Sequence, residues 1–218
     1  MSPSLLFILL ITLLVAAATL KHWWPFSRVS YIASNHVKAK AGSLSTISRS
    51  FARIDLPNVE RAIRTLDPTA RRIGVAGGMF SFRAEDLGAI LSGNLRAVGV
   101  RTQSAEIGAG ETMACMINGI VLVKSPGRAI VYVRVDEMTH LLEVHVAAKE
   151  SQLAETILNL IDSSCGRNSV YKGRIISLAC EKVVGRGASC LSLRFHEPSG
   201  ISESDVILPS ATLGLIER

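Results

Sequence analysis

A glycine-rich run, Gly74-Val75-Ala76-Gly77-Gly78, lies between a predicted strand and a predicted helix. Nucleotide-binding loops occupy such a position. A P-loop, however, needs Gly-Lys-Ser/Thr after its glycines, so that the lysine meets phosphate and the hydroxyl meets magnesium. Here Met79 and Phe80 follow instead, and the GxGxxG spacing of a dinucleotide-binding loop is absent. The run is therefore interpreted as a glycine turn.

Histidine and cysteine are the next candidates, because they bind metals and act in nucleophilic catalysis. His140 and His145 are five residues apart, which on a strand places them on opposite faces. No GxSxG motif is present, and no cysteine has an evident histidine partner in the sequence. The four cysteines lack the spacing of zinc ligands: Cys115, Cys165, Cys180 and Cys190. We therefore expect no catalytic residue, metal or cofactor in this chain.

Four arginines recur near helical spacing and form a candidate basic surface: Arg61, Arg64, Arg71 and Arg72. Three interpretations stay open. The charges could belong to a solvated face, bind anionic lipid headgroups, or bind nucleic acid. The solvated face is the favoured interpretation; of the two binding partners, a membrane segment nearby in the sequence favours lipid over nucleic acid.

That membrane segment is the apolar run from Leu5 to Leu20, in which only Thr12 and Thr19 are polar. With its neighbours it supplies about 20–24 helical residues, enough to cross the roughly 30 Å hydrocarbon core of a bilayer. We therefore predict a transmembrane anchor over residues 1–24. The residues expected at the membrane interface are Lys21, Trp23, Trp24 and Arg28.

The distribution of charge sets the predicted orientation. Residues 21–83 contain eleven Lys and Arg but three Asp and Glu, and no acidic residue precedes Asp55. By the positive-inside rule, the N-terminus lies outside and the body in the cytoplasm of a single-pass membrane protein. A signal peptide cleaved near Ala16-Ala17-Ala18 and a buried core helix are the alternatives.

The composition of the 218 residues excludes several classes of protein. A hydrophobic share of 48% with 19% charged residues is too apolar for a disordered chain. Four cysteines are too few for a disulfide scaffold, and their irregular positions suit reduced thiols. No internal repeat stands out.

The pattern of residues 58–203 predicts an α+β domain, an antiparallel sheet with packed helices, preceded by the transmembrane helix. Residues 25–57, with Pro25, Gly42 and a Ser/Thr cluster, are predicted to form a juxtamembrane tether, although their weak apolar periodicity would also suit a helix lying on the membrane. Within the domain, helices are predicted from Asn58 to Pro68, over 83–97 and from Ser151 to Ser163. Predicted strands are 72–76, 99–107, 117–123, 129–135, 141–146, 170–179 and 188–196.

Two stretches resemble a known family. Asn168–Leu178 (NSVYKGRIISL) is similar to a run found before the ATPase module of prokaryotic AAA-family ATPases, and Asp205–Arg218 resembles the run that leads into that module. The resemblance implies that 204–218 is a lead-in helix, that the full-length protein forms a ring homo-oligomer, and that ATP and magnesium bind downstream. No nucleotide-binding residue carries over, because the matching motifs are absent from this chain.

Two classes of function follow. The first is a membrane-anchored, non-catalytic region that recognises a substrate or partner protein and tethers an AAA-type ATPase. The second is a stand-alone membrane-bound hydrolase that uses Cys or Ser. A third interpretation is a membrane-anchored adaptor that binds lipid or nucleic acid through residues 21–83.

Overall fold

The computed structural model describes Thr12 and residues 28–75, 87–93, 95–136, 139–182 and 189–197. These residues divide into two compact units. The first unit contains the described residues up to Ala105 together with Ala114–Ser169. The second contains Glu106–Met113 and the described residues from Val170 onward.

Within the described residues, seven strands form one sheet. They are β1 (Ser45–Ala52), β2 (Arg71–Val75), β3 (Ala97–Val98), β4 (Arg101–Gly108), β5 (Glu111–Val123), β6 (Ala129–Val135) and β7 (Leu141–Ala148). The order across the sheet is β1-β7-β6-β5-β2-β3, and β4 pairs with β5. The short connections after β5 and β6 produce consecutive antiparallel pairs, which confirms the prediction for this stretch.

Four α-helices are described: α1 (Val29–Val37), α2 (Leu56–Leu66), α3 (Leu87–Ser92) and α4 (Ser151–Arg167). Side chains alternate between the two faces of the sheet. Ile120 and Tyr132 point to one face and share an apolar core with α1 and α3. Val131 and Val144 are buried on the other face, where α4 packs on β1 and β7 and α2 packs on α4. The predicted α+β class, an antiparallel sheet with packed helices, is confirmed.

The segment predicted as a tether differs most from expectation. Its described part folds into α1, into short 3-10 turns at Ala41–Ser43 and Arg53–Asp55, and into β1. Strand β1 pairs with β7 along its whole length. The physical reason is a period of two: Ile47, Arg49 and Phe51 are half-buried, while the serines between them are exposed. A Ser-rich composition therefore concealed an edge strand.

Element ends also differ from the prediction. Helix α3 ends at Ser92 rather than at 97, because the chain then enters the short strand β3; residues 83–86 lie outside the described part. Helix α4 continues past Gly166 to Arg167. Leu158 belongs to its buried stripe, whereas Leu160 is 44% exposed.

The second unit contains the predicted C-terminal hairpin. Strands β8 (Ile175–Lys182) and β9 (Ser189–His196) pair antiparallel. The rings of Tyr171 and Phe195 are in contact, with centroids 5.8 Å apart. Arg174 forms a 2.8 Å ion pair with Glu111 at the tip of the β4–β5 hairpin. The lead-in helix proposed over 204–218 lies outside the described residues.

The predicted anchor over 1–24 also lies outside the described part, apart from Thr12, as do Lys21, Trp23 and Trp24 at its interface. Among the helices that the structure describes, none is long and apolar enough to span a membrane.

Gly74, from the glycine-rich run, is required by the close approach of two backbones. It pairs with Val98, and a Cβ at this position would lie 2.1 Å from the carbonyl oxygen of Gly99. Gly99, in contrast, has open space around its own Cβ position. This part of the run is thus a packing requirement of the β2–β3 pair, and residues 76–80 lie outside the described part.

We predict that Gly74→Ala lowers the free energy of unfolding by about 1–3 kcal/mol, because backbone atoms must move apart to accept the methyl group. The matched variant Gly99→Ala should stay within about 0.5 kcal/mol of the wild type. Urea denaturation of the full chain in detergent measures both. Equal effects of the two variants would contradict the close approach.

Candidate functional site

A buried carboxylate organises the arginines of the candidate basic surface. Glu60 on α2 is 2% exposed. Its Oε1 accepts hydrogen bonds from Arg64 Nε at 2.7 Å and Arg72 Nη1 at 2.5 Å, and its Oε2 accepts one from the Met116 backbone N–H at 3.3 Å. Two guanidinium groups and an amide therefore compensate a charge that would be costly to bury alone.

The structure does not gather the four predicted arginines on one surface. Arg64 and Arg72 converge on Glu60, and Arg64 also donates to the Ala114 carbonyl oxygen at 2.8 Å. Arg71 and Arg72 are adjacent on β2, so their side chains leave opposite faces of the sheet. Arg61 is exposed on α2. Half of this set thus supports the fold, and the other two arginines belong to separate surfaces.

We predict that Glu60→Gln destabilises the protein by about 1.5–3 kcal/mol, because charge-assisted hydrogen bonds to two arginines become neutral ones. Glu155→Gln, the same chemical change at an exposed position of α4, should cost less than about 0.5 kcal/mol. Urea denaturation compares the two variants. A Glu60→Gln protein as stable as the Glu155→Gln control would show that the network contributes little.

A second basic feature, which we call the α1 groove, lies on the outer side of α1. It is an open concavity of about 830 Å³. Its lining residues are Arg28, Ser30, Tyr31, Ser34, Asn35, Lys38, Ala39, Lys40, Leu91 and Ser92. Three of them are cations, and none of them is acidic.

Local structure fixes where these cations stand. The inner side of α1 is pinned to the core by Val29, Ala33 and Val37. Lys38 ends the helix in the left-handed conformation, with φ of 53°, and turns the chain toward Lys40. The Lys40 carbonyl oxygen then accepts hydrogen bonds from the Ser43 N–H at 3.0 Å and the Ser43 hydroxyl at 2.9 Å.

Arg28 lies at the other end of the groove, and its backbone partner Arg96, which the sequence did not single out, lies beyond the lining residues. Arg28, predicted at the membrane interface, forms an antiparallel backbone bridge with Arg96. The Val29 N–H donates to the Leu95 carbonyl oxygen at 2.9 Å. Arg96 is therefore adjacent to Arg28 although 68 positions separate them in the sequence. The backbone bridge, and not the sequence pattern, shows this proximity.

Three arginines line a smaller cleft of about 160 Å³, at one end of the central strands. Arg53 belongs to the 3-10 turn after β1, and Arg101 is the first residue of β4. Arg134 belongs to β6 and forms a 3.2 Å ion pair with Asp136. Arg53 also donates to the Gln103 side chain at 3.4 Å. Guanidinium groups so placed suit an anionic group of a partner.

A wider groove of about 500 Å³ runs between α2 and α4. Leu160 contributes an exposed apolar surface, and Thr65, Ser163, Arg167 and Asn168 contribute polar groups. A mixed lining of this kind is typical of surfaces that contact proteins.

The two cysteines whose side chains are described do not resemble nucleophiles. Burial raises the pKa of the Cys115 thiol to about 12, and the nearby charge of Glu60 adds to this. Burial also raises the pKa of Cys165 to about 12, with further contributions from Asp55 and Asp162. A catalytic cysteine needs the opposite shift, toward the thiolate.

We predict that iodoacetamide alkylates Cys115 and Cys165 of the folded chain at least about a hundredfold more slowly than a free thiol at neutral pH, since the thiolate is the reacting form. Peptide mass spectrometry gives the rate at each position, and the urea-unfolded chain serves as control. Rapid, selective alkylation of Cys165 would restore the cysteine-hydrolase interpretation.

A serine and a histidine also meet in the second unit. Ser177 Oγ lies 2.8 Å from His196 Nε2 across the β8–β9 hairpin, and both residues are exposed. A catalytic triad adds a carboxylate that orients the histidine. Among the described residues, no carboxylate forms a hydrogen bond with His196. The pair therefore matches a cross-strand surface contact better than a triad.

Among the described residues, no group of three or more His, Cys, Asp and Glu is placed to hold a metal ion. His145 lies on β7 beside Tyr132, with ring centroids 5.7 Å apart, whereas His140 lies in the turn before that strand.

Comparison with protein-family models, with curated proteins and with solved structures finds no match to this chain.

Proposed function

We propose that this chain is the membrane-anchored, non-catalytic region of an AAA-type ATPase, which recognises a substrate or partner protein and tethers the motor to the inner face of the membrane. The observation that carries the proposal is the spacing between the apolar segment and the fold. Leu20 ends the apolar run, and α1 begins at Val29. The first unit is thereby held close to the bilayer.

Charge near the predicted anchor supports the orientation. Arg28, Lys38 and Lys40 line the α1 groove, and the sequence has no acidic residue before Asp55. Positive charge next to a spanning segment keeps that side in the cytoplasm.

The recognition part of the proposal is supported by two concave surfaces. The arginine cleft offers charge for an anionic group, and the groove between α2 and α4 offers mixed polar and apolar contact. Both are built on helices and strands of the sheet domain, which hold their side chains in place.

The AAA part rests on the resemblance of Asn168–Leu178 and Asp205–Arg218 to the segments before the ATPase module. It implies that ATP, magnesium and ring assembly belong to a downstream module rather than to these residues. The alternative function, a membrane-anchored adaptor that binds lipid, is favoured by the basic lining of the α1 groove. The hydrolase alternative has the Ser177–His196 contact in its favour and lacks a placed carboxylate among the described residues.

Topology is tested with a membrane-impermeant maleimide on intact cells. Ser2→Cys should be labelled from outside, whereas the matched variant Ser43→Cys, exposed in the first unit, should be labelled only after permeabilisation. The native cysteines are controlled for by the wild-type chain. A mature chain that has lost residue 2 would show a cleaved signal peptide, and labelling of Ser43→Cys from outside would overturn the cytoplasmic orientation.

The motor is tested by isolating the protein from its native membranes in mild detergent and measuring its intact mass and ATP hydrolysis. We expect an ATPase module, either on the same polypeptide or bound to it. A chain that copurifies with no nucleotide-hydrolysing module would contradict the AAA assignment and leave the adaptor function.

A further inference from the structure

The α1 groove combines three properties that together indicate its ligand. Its three cations stand at the two ends of a nine-residue helix, about 15 Å apart along the axis. Among the described residues that line it, none is a carboxylate, and the three cations favour an anionic ligand. Between the cations lie Ser30, Ser34 and Asn35, which can hydrogen-bond phosphate oxygens or ester groups.

The position of the groove in the chain restricts its partner. Seven residues separate Leu20 from Arg28, so the eight Cα–Cα steps between them span at most about 28 Å. A bilayer entered by the apolar segment is therefore within reach of the groove at all times. Tyr31, 39% exposed in the first turn of α1, carries the amphipathic ring that collects at membrane interfaces.

We propose that the α1 groove binds the phosphate-bearing headgroups of anionic phospholipids, so that α1 lies against the surface of the membrane. This inference rests on the anchor of the proposed function and adds the lipid class and the contacting residues. Arg96, bridged to Arg28, extends the basic surface beyond the groove. Each cation near an anionic surface is expected to favour binding about fivefold, an effect that salt screens.

Photo-crosslinking in nanodiscs tests the inference with the full chain. Tyr31→p-benzoyl-phenylalanine reports the lipid at the groove, and Leu160→p-benzoyl-phenylalanine on α4, across the sheet, is the control site. Discs of phosphatidylcholine with about 30% phosphatidylserine supply both headgroups. Mass spectrometry of the adducts gives the ratio of anionic to neutral lipid at each site.

We expect the anionic lipid to be enriched at position 31 at least about fivefold over its share in the disc, and to lose that enrichment in high salt. Lys38→Gln/Lys40→Gln should reduce the enrichment severalfold. Arg61→Gln/Arg167→Gln removes the same charge from helices on the opposite face and should leave it unchanged.

Three outcomes, in discs that the chain has entered, would overturn this inference and leave the anchor intact. The first is a lipid ratio at position 31 that matches the disc composition, and the second is an equal effect of the two double variants. The third is loss of the adducts when an oligonucleotide is added at low concentration, which would indicate that the groove binds nucleic acid. A chain that fails to enter neutral discs would instead contradict the anchor, and the inference with it.

Discussion

The buried carboxylate of Glu60 is the interaction on which the first unit depends. It joins α2 to β2 through Arg72 and to β5 through the Met116 N–H. An ionised carboxylate at 2% exposure is stable only when donors surround it, so these contacts must form together. These contacts fix the position of α2 on the sheet. Helix α4 packs on α2, so its position depends on the same contacts.

The sheet separates two layers that differ in electrostatic character. On one face, acidic residues of α2 and α4 form ion pairs with arginines of the strands. Glu60 of α2 pairs with Arg72 of β2, and Asp162 of α4 pairs with Arg49 of β1. On the opposite face, α1 buries Val29, Ala33 and Val37, its His36 side chain lies 2.7 Å from the Val123 carbonyl oxygen, and Lys38 and Lys40 are exposed. The buried Glu60 network therefore lies on one face of the sheet, whereas Lys38 and Lys40 lie on the other.

Short-range patterns in the sequence predicted the strands β5, β6 and β7, because each alternates or forms an apolar run between clear turns. The α+β class followed from them. Strand β1 was missed, because its inward residues are only half-buried at a sheet edge and serines fill the positions between them. The candidate site was harder still. The spacing of the arginines predicted that Arg64 and Arg72 belong to a basic surface. Only the fold shows that both side chains bind the buried Glu60 carboxylate.

For the proposed membrane anchor, the pairing of Arg64 and Arg72 with Glu60 changes which cations could attract anionic lipid. Counted along the sequence, the excess positive charge of residues 21–83 looked like one basic region. In the structure, Arg64 and Arg72 share the buried carboxylate of Glu60, which offsets one of their two positive charges, and Arg61 and Arg71 lie on separate surfaces. The cations that share a concave surface are those nearest the apolar segment, with Arg96 brought to them by a backbone bridge. Electrostatic attraction to a bilayer decays within about 10 Å, so under the proposed anchoring the cations of the α1 groove would contribute far more than an equal number dispersed over the domain.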